Sequence, residues 1–519
     1  MDNAELVSSL FPQELGTAAA GEARISFRNT GTDVWTRAAG CRLGAVDDFD
    51  PFYKRDTRVD LPDGAVVRPG ETFEFQFALQ APAAPGSYHT NWQMIREGVS
   101  WFGPIVAADI AVTGDHVVDA STIDQKLLMG YQGWFGCRGD GSVVNDWQHW
   151  SERTPPGPES VRVDLWPDTR DYDADELFDT QFRFPDGSPA RVFSSYNAKT
   201  IRRHFGWMKQ YGIDGVSIGR FTVGVNNPVD VQKTLRQLEH VRQAAEEHGR
   251  VIFIAYDITG HNEATLIQDI QRDWVRLVDE VRITDSPSYL RHHGQPLLML
   301  WGLAAENRPG GPEQATRILR FFQQNGNARY RATIMGGVPT TWRQLGTQDP
   351  RWAEVFRLFD VICPWMVNQF TNEADAVAWY RDVFVGDIGD CRARGAGYVA
   401  TVFPGFSWRN VETRNGRPQP PPLNEVPRHG GRFYWRQVYE AVQAGSTAVL
   451  CAMFDECDEG TAMFKVAESQ TQTPVGCGFV TLDADGQALP SDWYLRLAGE
   501  TGRMLRGEVP ATEAIPIAP

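Results

Sequence analysis

The chain has 519 residues, a formal net charge of −16 at pH 7 and 11% aromatic residues, with 17 tryptophans among them. This length suits two domains or one large decorated barrel. The negative charge, with no compensating basic stripe, excludes a nucleic-acid surface. No run of Lys and Arg marks a membrane patch, and no apolar run approaches bilayer length. We therefore expect neither a nucleic-acid partner nor a membrane partner.

The N-terminus and the cysteines indicate a compartment. The chain begins Met-Asp-Asn-Ala-Glu, with neither a basic nor an apolar leader region, so no secretory signal is visible. The seven cysteines are widely spaced, with no CxxC pair and no zinc-ligand spacing. These features favour a cytoplasmic protein with reduced thiols, and secretion stays open if a leader has been removed. We expect neither a metal nor a cofactor.

Residues 1–115 carry strand-type patterns only. Short apolar runs such as Ala23–Phe27, Thr72–Leu79 and Tyr88–Met94 are separated by Gly, Pro, Asn and Asp, and helical periodicity is absent. About seven short strands over roughly 100 residues are typical of a β-sandwich. We place the junction with the rest of the chain at Gly114–Thr122.

Several runs of this segment carry a family resemblance. They are Phe27–Trp35, Val67–Glu71, Ala81-Pro82 and Pro85–Tyr88, together with Trp92, Trp101, Phe102 and Gly103. This set resembles the immunoglobulin-like four-tryptophan domain of autophagy cargo receptors, which also occurs in bacterial proteins attached to enzymes. The resemblance implies that Trp35 and Trp92 lie in the core. It also implies a domain that binds an unidentified ligand or protein partner, or supports a catalytic domain, and does no chemistry itself.

From about residue 126 onward, short apolar runs alternate with helix-like, charge-rich segments. The strand-like runs are Leu127–Gly133, Gly215–Phe221, Val251–Asp257, Pro296–Trp301, Ala332–Gly337, Val361–Trp365, Tyr398–Phe403 and Ala448–Phe454. The helix-like segments are Ala198–Tyr211, Val231–His248, Gln268–Arg282, Gly311–Asn325, Asn372–Phe384 and Gly431–Ala444. Eight such repeats predict a closed (β/α)8 TIM barrel over residues 123–506. The expected fold class is α/β, with an all-β immunoglobulin-like sandwich before the barrel.

Two segments fall outside this alternation. Val161–Trp166 is a ninth apolar run, and no convincing helix separates it from Phe193–Tyr196. We interpret it as part of a long insertion after the first barrel strand. The tail Gly507–Pro519 is rich in Pro and Ala, so we expect it to be disordered.

Aromatic residues collect where the predicted barrel strands end. This is the face on which barrel enzymes place their active sites. Aromatic rings suit the apolar faces of a sugar, and carboxylates suit its hydroxyls. We expect one substrate pocket lined by Tyr131, Trp134, Trp301, Trp365 and Phe406. The alternative for any single ring is that it only caps the barrel core.

Polar candidates lie near the same strand ends. Arg220 ends the second strand and either clamps a substrate group or forms a salt bridge in the barrel mouth. Tyr256 and Asp257 end the third strand, and Asp257 either binds a sugar hydroxyl or caps the next helix. His149, in the first insertion, is either close to the site or a loop histidine in a hydrophobic patch.

The last predicted strand breaks into four carboxylates within five residues. They are Asp455, Glu456, Asp458 and Glu459. Ionised carboxylates repel one another and are costly to desolvate, so a buried strand that ends in clustered acids requires a reason. Glycoside hydrolysis requires two carboxylates held close together. We therefore predict Glu456 and Glu459 as a catalytic pair, with Asp455 beside the substrate. The alternative is a solvated acidic turn.

Three runs of the barrel segment carry a second resemblance. Phe454–Thr461 resembles the Phe-Asn-Glu-Trp-His-Glu-Gly-Thr signature of glycoside hydrolase family 99, the endo-α-mannosidases and endo-α-mannanases. Tyr131–Gly136 is similar to the first-strand Tyr-x-x-Trp-Tyr-Gly of that family, and Pro404–Phe406 to its Pro-Gly-aromatic run. The resemblance extends to the broader 71/99-like group. It implies that one of the two carboxylates assists the sugar 2-hydroxyl in forming a 1,2-anhydro intermediate and that the other is the acid/base. We expect Glu456 in the first role and Glu459 in the second, and the reverse assignment stays open.

The chain departs from that signature beside the reacting sugar. Asp455 stands in place of Asn, and Cys457-Asp458 in place of Trp-His, so the sugar is left open. We predict a glycoside hydrolase that acts with retention on an α-linked glycan. The alternatives are a glycosidase on a xylose, arabinose or fucose type of sugar, and a non-catalytic glycan-binding scaffold. A scaffold has no need of both acids.

Overall fold

The computed structural model describes residues 2–17, 19–53, 57–82, 85–114 and 117–519. Its contacts divide the chain into two compact units, Met1–Val117 with Arg506–Pro510, and Val118–Leu505 with Ala511–Pro519. Asp115 and His116, inside the junction expected from sequence, lie outside the described residues.

The first unit is a sandwich of two β-sheets, as the strand-only pattern predicted. Its strands are β1 Ala4–Leu10, β2 Glu14–Gly16, β3 Ala20–Asn29, β4 Cys41–Ala45, β5 Arg58–Asp60, β6 Thr72–Gln80, β7 Gly86–Arg96 and β8 Ser100–Thr113. One sheet has the order β1-β3-β6, and the other has the order β2-β8-β7-β4-β5. Alternate residues of β6 are buried, so its apolar side chains face the core. Trp35 and Trp92 are fully buried in that core.

The second unit contains a closed barrel of parallel strands. The strands of this unit are β9 Leu127–Tyr131, β10 Leu177–Arg183, β11 Pro189–Phe193, β12 Gly215–Phe221, β13 Val251–Asp257, β14 Arg291–His292, β15 Gln295–Trp301, β16 Thr333–Val338, β17 Val361–Pro364, β18 Gly397–Val402 and β19 Ala448–Cys451. The barrel order is β9-β12-β13-β15-β16-β17-β18-β19, and β19 pairs back with β9, with Val449 opposite Leu127. The predicted (β/α)8 barrel is thereby confirmed. β10 pairs with β11, and β14 pairs only with β15.

Helices connect the barrel strands. They are α1 Ala198–Gln210, α2 Pro228–His248, α3 Leu266–Arg276, α4 Pro312–Gln324, α5 Trp342–Gln348, α6 Pro350–Phe356, α7 Glu373–Trp379, α8 Val385–Ala393, α9 Arg409–Arg414, α10 Arg432–Gln443 and α11 Trp493–Leu505. π-Helical turns at Leu277–Val281 and Tyr380–Phe384 follow α3 and α7, within the helices expected there. Among the residues described, none of the helices combines the length and the apolar character that crossing a bilayer requires.

The insertion after β9 reaches the acidic turn that follows β19. Val161–Trp166 forms no regular strand. Instead the backbone N–H groups of Asp164 and Leu165 both donate to the carbonyl oxygen of Cys457, at 3.0 and 3.1 Å. The buried carboxylate of Asp164 accepts three hydrogen bonds from the chain that follows β18, one of them from the Ser407 hydroxyl at 2.6 Å. This apolar run therefore supports the barrel mouth.

The tail differs from its composition-based expectation. Residues 511–519 contain no helix or strand, yet they group with the barrel unit. The carbonyl oxygen of Thr512 accepts a hydrogen bond from the indole N–H of Trp435 at 3.0 Å, and Glu513 pairs with Arg436. These contacts satisfy polar groups on α10. The amino-acid composition of the tail alone does not predict them.

Gly215 provides a test of strand packing. A methyl group on this residue of β12 would lie 1.9 Å from the carbonyl oxygen of Val251 on β13. We expect Gly215→Ala to lower the free energy of unfolding by about 1–3 kcal/mol, because the two strands must move apart. Guanidinium chloride unfolding followed by tryptophan fluorescence measures the change. Gly389→Ala in α8 is the control, since nothing lies within 4 Å of the added methyl group. Equal losses in both variants would contradict the close approach.

Candidate active site

Asp455 ties the ends of the first and last barrel strands together. Its buried carboxylate accepts the backbone N–H of Gln132 through Oδ1 and that of Gly133 through Oδ2, both at 2.8 Å. Burial raises the pKa of Asp455 to about 7, against the opposing effect of these two donors. A buried carboxylate with two backbone donors has a fixed orientation. The position of the chain after β19 is therefore set relative to the chain after β9.

Glu456 is the next residue, and two side chains hold its carboxylate. It is 4% exposed, and its Oε1 accepts from Nε2 of Gln132 at 2.9 Å. Its Oε2 accepts from the hydroxyl of Thr461 at 2.6 Å. Burial, followed by the charge of Asp458, raises the pKa of Glu456 to about 7, and both donors act in the opposite direction. Donors to a carboxylate stabilise its ionised form.

Glu459 has a different environment three residues later. It is half-buried, and none of the described residues donates a hydrogen bond to its carboxylate. Burial, followed by the charges of Glu456 and Asp458, raises its pKa well above the usual value. Because Glu459 lacks donors and Glu456 has two, the protonated form is favoured at Glu459 and the ionised form at Glu456.

Glu456 and Glu459 line one cavity of about 510 Å³ at the carboxyl ends of the barrel strands. This volume is typical of small-molecule sites, which span roughly 300–1,000 Å³. The other side chains of its wall include Tyr131, Trp134, Phe221, Asp257, Thr259, Trp301, Arg308 and Trp365. The structure thus brings the carboxylate pair and four of the five predicted aromatic residues to one cavity.

Packed rings form the walls of this cavity. Trp301 and Trp365 meet edge to face, with ring centroids 5.5 Å apart and planes at 77°. Trp134 stacks on Phe221 with centroids 5.3 Å apart. A methyl group on Gly337 would lie 2.5 Å from Cδ1 of Trp301, so the indole lies directly against the backbone of β16. These rings are therefore held in place before any substrate binds.

The turn between the two acids and Thr461 requires Gly460. This residue has φ of +66°, and a Cβ on it would lie 2.8 Å from the backbone nitrogen of Ser407. The buried guanidinium of Arg428 donates to the carbonyl oxygens of Gly460 and Ala462 at 2.8 and 2.7 Å. A side chain at residue 460 would be strained, and Arg428 holds the peptide in place.

Asp458 pairs with His149, which approaches from the first insertion. Oδ2 of Asp458 lies 3.1 Å from Nδ1 of His149. The imidazole lies flat on the indole of Trp134, with centroids 3.9 Å apart and planes at 7°. Burial raises the pKa of Asp458 to about 7 and lowers that of His149. Of the two interpretations open for His149, the structure favours the one that places it beside the site.

A second cavity adjoins the first. It measures about 750 Å³, and its lining includes His149, Arg162 and Asp458. Trp134 and Glu459 line both cavities, whereas Glu456 lines only the first of these two. Glu459 therefore lies at the boundary between the two spaces.

Two of the predicted site residues are used in an internal network. Arg220 donates to both carboxylate oxygens of Asp273, at 2.9 and 2.5 Å, and Tyr256 donates to the same group at 2.8 Å. Arg220 and Tyr256 are buried, and neither lines the cavity that holds Glu456 and Glu459. The structure does not bring them to the acids, and the salt-bridge alternative describes Arg220.

Phe406 does not take its expected pocket-lining role, whereas Tyr131 does. Phe406 is 4% exposed, packs against Trp408 at 5.4 Å, and is not part of the cavity wall. Tyr131 lines the cavity, but its hydroxyl is 3.0 Å from Nδ1 of the buried His204. Burial, followed by the charge of Asp455, raises the pKa of Tyr131 well above its usual value.

Asp257 does not cap the next helix, because α3 begins only at Leu266, and the other interpretation, a ligand of a sugar hydroxyl, stays a prediction. Its Oδ1 accepts the backbone N–H of Thr259 at 2.7 Å, as a residue at the start of a turn does. It also lines the cavity with Glu456 and Glu459. Burial raises its pKa above the usual value. Asp257 thus adds a third carboxyl group to the cavity.

Sequence reasoning missed four residues of this site. Gln132 and Thr461 lie inside two runs, Tyr131–Gly136 and Phe454–Thr461, whose other residues are predicted site residues. Their position in these runs is the signal that could have identified them. Phe221 ends a predicted strand and was overlooked beside Arg220. Arg308 lies in the loop after β15, where no pattern in the sequence marks it.

The described residues contain one acidic trio with metal-ligand geometry, Asp173, Asp175 and Glu176. Lys199 pairs with Asp173 and Asp175, and Arg203 pairs with Glu176. These cations already balance the carboxylates, and the trio is not part of either cavity wall at the barrel mouth.

Comparisons with known proteins agree with the two-part architecture. Residues 22–112 match the family model of the "Ig-like domain from next to BRCA1 gene". No curated protein matches the chain in sequence. The GH99 endo-alpha-mannosidase from Bacteroides thetaiotaomicron superposes with a TM-score of 0.54 at 15% identity, covering 75% of this chain and 99% of that one. A second structure of a GH99 endo-alpha-mannosidase from the same genus, in complex with bis-tris-propane, gives 0.53 at 16% identity, covering 74% and 98%. The barrel therefore has the fold of these GH99 enzymes, and an immunoglobulin-like domain precedes it.

Proposed function

We propose that the barrel is a glycoside hydrolase in which Glu456 and Glu459 are the catalytic pair. The observation that carries this proposal is their shared cavity: two carboxyl groups with different hydrogen bonding face one space walled by tryptophans. Barrel enzymes place their chemistry at this end of the strands. Two acids whose surroundings differ can take different roles in one reaction.

The different surroundings assign the roles. Glu459, without donors and at the boundary of the two cavities, donates a proton to the departing glycosidic oxygen. Glu456, held ionised by Gln132 and Thr461, removes the proton from the sugar 2-hydroxyl as that oxygen attacks the anomeric carbon. Water then opens the resulting 1,2-anhydro sugar, with both proton transfers reversed. Two inversions at the anomeric carbon give net retention.

The substrate we propose is an α-linked glycan. The fold shared with GH99 enzymes supports this choice, and the residues beside the pair leave the sugar itself to experiment. Asp455 and Asp458 place two further acids next to the reaction centre. A panel of aryl glycosides and α-linked oligosaccharides, assayed by released reducing ends and by NMR of the product anomer, identifies the sugar and tests retention.

The first test removes proton transfer while keeping shape. We expect Glu456→Gln and Glu459→Gln each to lower kcat by about 10²–10⁴-fold, because an amide neither gives nor takes the required proton. Steady-state kinetics on the best panel substrate measure the loss. Glu354→Gln, at an exposed position of α6, is the matched control and leaves kcat unchanged. Near-wild-type turnover by either catalytic variant would remove that residue from the mechanism.

The second test uses pH. Activity requires ionised Glu456, whose pKa is about 7, and protonated Glu459, whose pKa is raised. The value of kcat/KM therefore rises with pH through about 7 and falls again once Glu459 loses its proton.

Asp458→Asn removes a negative charge that raises both pKa values, so both limbs of this profile move to lower pH. The readout is kcat/KM from pH 4 to 10 for the wild type and the variant. An unchanged profile would contradict the electrostatic role of Asp458.

The third test concerns the first domain, which we propose binds an unidentified ligand or protein partner and does no chemistry. Its tryptophans Trp35 and Trp92 are core residues, and none of the residues described in this domain lines the cavity of the catalytic pair. Deleting residues 1–117 leaves kcat on a small soluble glycoside unchanged, provided that circular dichroism shows a folded barrel. Loss of turnover in a folded truncation would contradict this division of labour.

A further inference from the structure

The cavity of the catalytic pair contains a cation. Arg308 lies in the loop between β15 and α4, and it lines the same space as Glu456 and Glu459. Its guanidinium carbon is 5.5 Å from the ring centroid of Trp301, a distance at which a cation is attracted to the face of an indole. A positive group therefore stands against the tryptophan wall of the cavity.

This cation has no anionic partner in the part of the chain that the structure describes. No carboxylate there lies within ion-pair distance of the Arg308 guanidinium, and its buried Nε has no hydrogen-bond acceptor. Arg220, by contrast, is bound through two nitrogens to Asp273. A buried donor without an acceptor costs free energy, so such a group needs an acceptor from elsewhere.

Asp257 is the candidate partner within the cavity, and it does not take this role. Arg308 acts on Asp257 electrostatically, yet burial outweighs that effect and leaves the pKa of Asp257 above its usual value. No ion pair joins the two side chains among the residues that the structure describes, and Oδ1 of Asp257 accepts the backbone N–H of Thr259 at 2.7 Å. The Arg308 guanidinium thus remains available to a bound molecule.

The support beneath Arg308 is rigid. Trp301 is fixed on one side by Trp365, at 77° and 5.5 Å, and on the other by the backbone at Gly337. A guanidinium held on a fixed ring keeps its planar fork of donors in one place, which lowers the entropy lost on binding. This is the arrangement expected of a recognition group.

We propose that Arg308 binds an anionic substituent of the glycan, so that the substrate class of this site is an acidic glycan. The group is a carboxylate of a uronic acid or a sulfate ester, since both present the coplanar or trigonal oxygens that a guanidinium fork matches. This inference rests on the proposed function of the same cavity. The raised pKa values of Glu459 and Asp257 reduce the negative charge that would otherwise repel such a substrate near neutral pH.

Binding and turnover are measured separately on the full-length protein. Isothermal calorimetry with methyl α-hexosides, the corresponding methyl α-hexuronides and the 6-O-sulfated hexosides tests recognition without catalysis. Kinetics with the 4-nitrophenyl forms of the same three series test turnover. The variants are Arg308→Met and Arg308→Lys, and Arg320→Met on the exposed face of α4 is the matched control.

We expect wild-type protein to bind one acidic series more tightly than the neutral one, and the preferred series separates a carboxylate from a sulfate. Arg308→Met should weaken that binding by roughly 10- to 100-fold, as loss of charge-assisted hydrogen bonds does. It should change binding of the neutral series little. Arg308→Lys should keep part of the preference, because it retains the charge without the fork, and Arg320→Met should keep all of it.

The outcomes separate this proposal from the proposed function. Equal binding of all three series, or an equal effect of Arg308→Met on each, overturns the acidic-glycan assignment even if neutral glycosides are hydrolysed. Binding of an acidic series that depends on Arg308, with no turnover of any glycoside, supports the anion site and rejects the hydrolase. A preference that survives in Arg308→Met also overturns the assignment.

Discussion

The two hydrogen bonds from the backbone N–H groups of Gln132 and Gly133 to Asp455 are the contact on which the site depends. They join the chain leaving β9 to the chain leaving β19, at the seam where the barrel closes. The same Gln132 then uses its side chain to hold Glu456. A displaced Asp455 would therefore move both the backbone and the side chain that orient the Glu456 carboxylate, and an error of about 1 Å in the position of a reacting group is costly to catalysis.

This dependence explains why four acids can lie within one turn. Burying several carboxylates together is unfavourable unless donors compensate them or protons neutralise them. Asp455 and Glu456 have donors, Asp458 has His149, and Glu459 has a raised pKa and no donor. The four acids are thus accommodated in more than one way. The result is a pair, Glu456 and Glu459, whose hydrogen bonding differs in one cavity.

The architecture could be predicted from sequence because it follows from periodicity. The switch from strand-only patterns to alternating strands and helices, together with eight apolar runs, identifies a sandwich followed by a barrel. The predicted ends of the strands were less accurate than their number and order. The last barrel strand, for example, ends at Cys451 and not at Phe454. The backbone N–H of Phe454 donates to the carbonyl oxygen of Gly130 on the neighbouring strand β9, at 2.7 Å. The local sequence pattern does not encode such a tertiary contact.

The site could be predicted only where residues of the right type stood at strand ends. That rule found Glu456, Glu459, Trp301 and Trp365. It failed for Arg220 because a strand-end position does not say whether a side chain points to the cavity or to a helix, and Asp273 on α3 had no visible link to it. It missed Arg308 because that residue comes from a loop, and loop positions depend on tertiary contacts.

His149 and Asp458 show how this chain departs from the signature that it resembles. Where that signature has Trp-His, the chain has Cys457-Asp458. His149, which comes from the first insertion, lies within hydrogen-bond distance of Asp458. An imidazole therefore lies near the acids, but it comes from a different segment of the chain and stacks on Trp134. Its ring lines the second cavity together with Glu459, and Glu456 does not line that cavity. The substitution thus changes the residues around the acids, while Glu456 and Glu459 keep the spacing that the signature has.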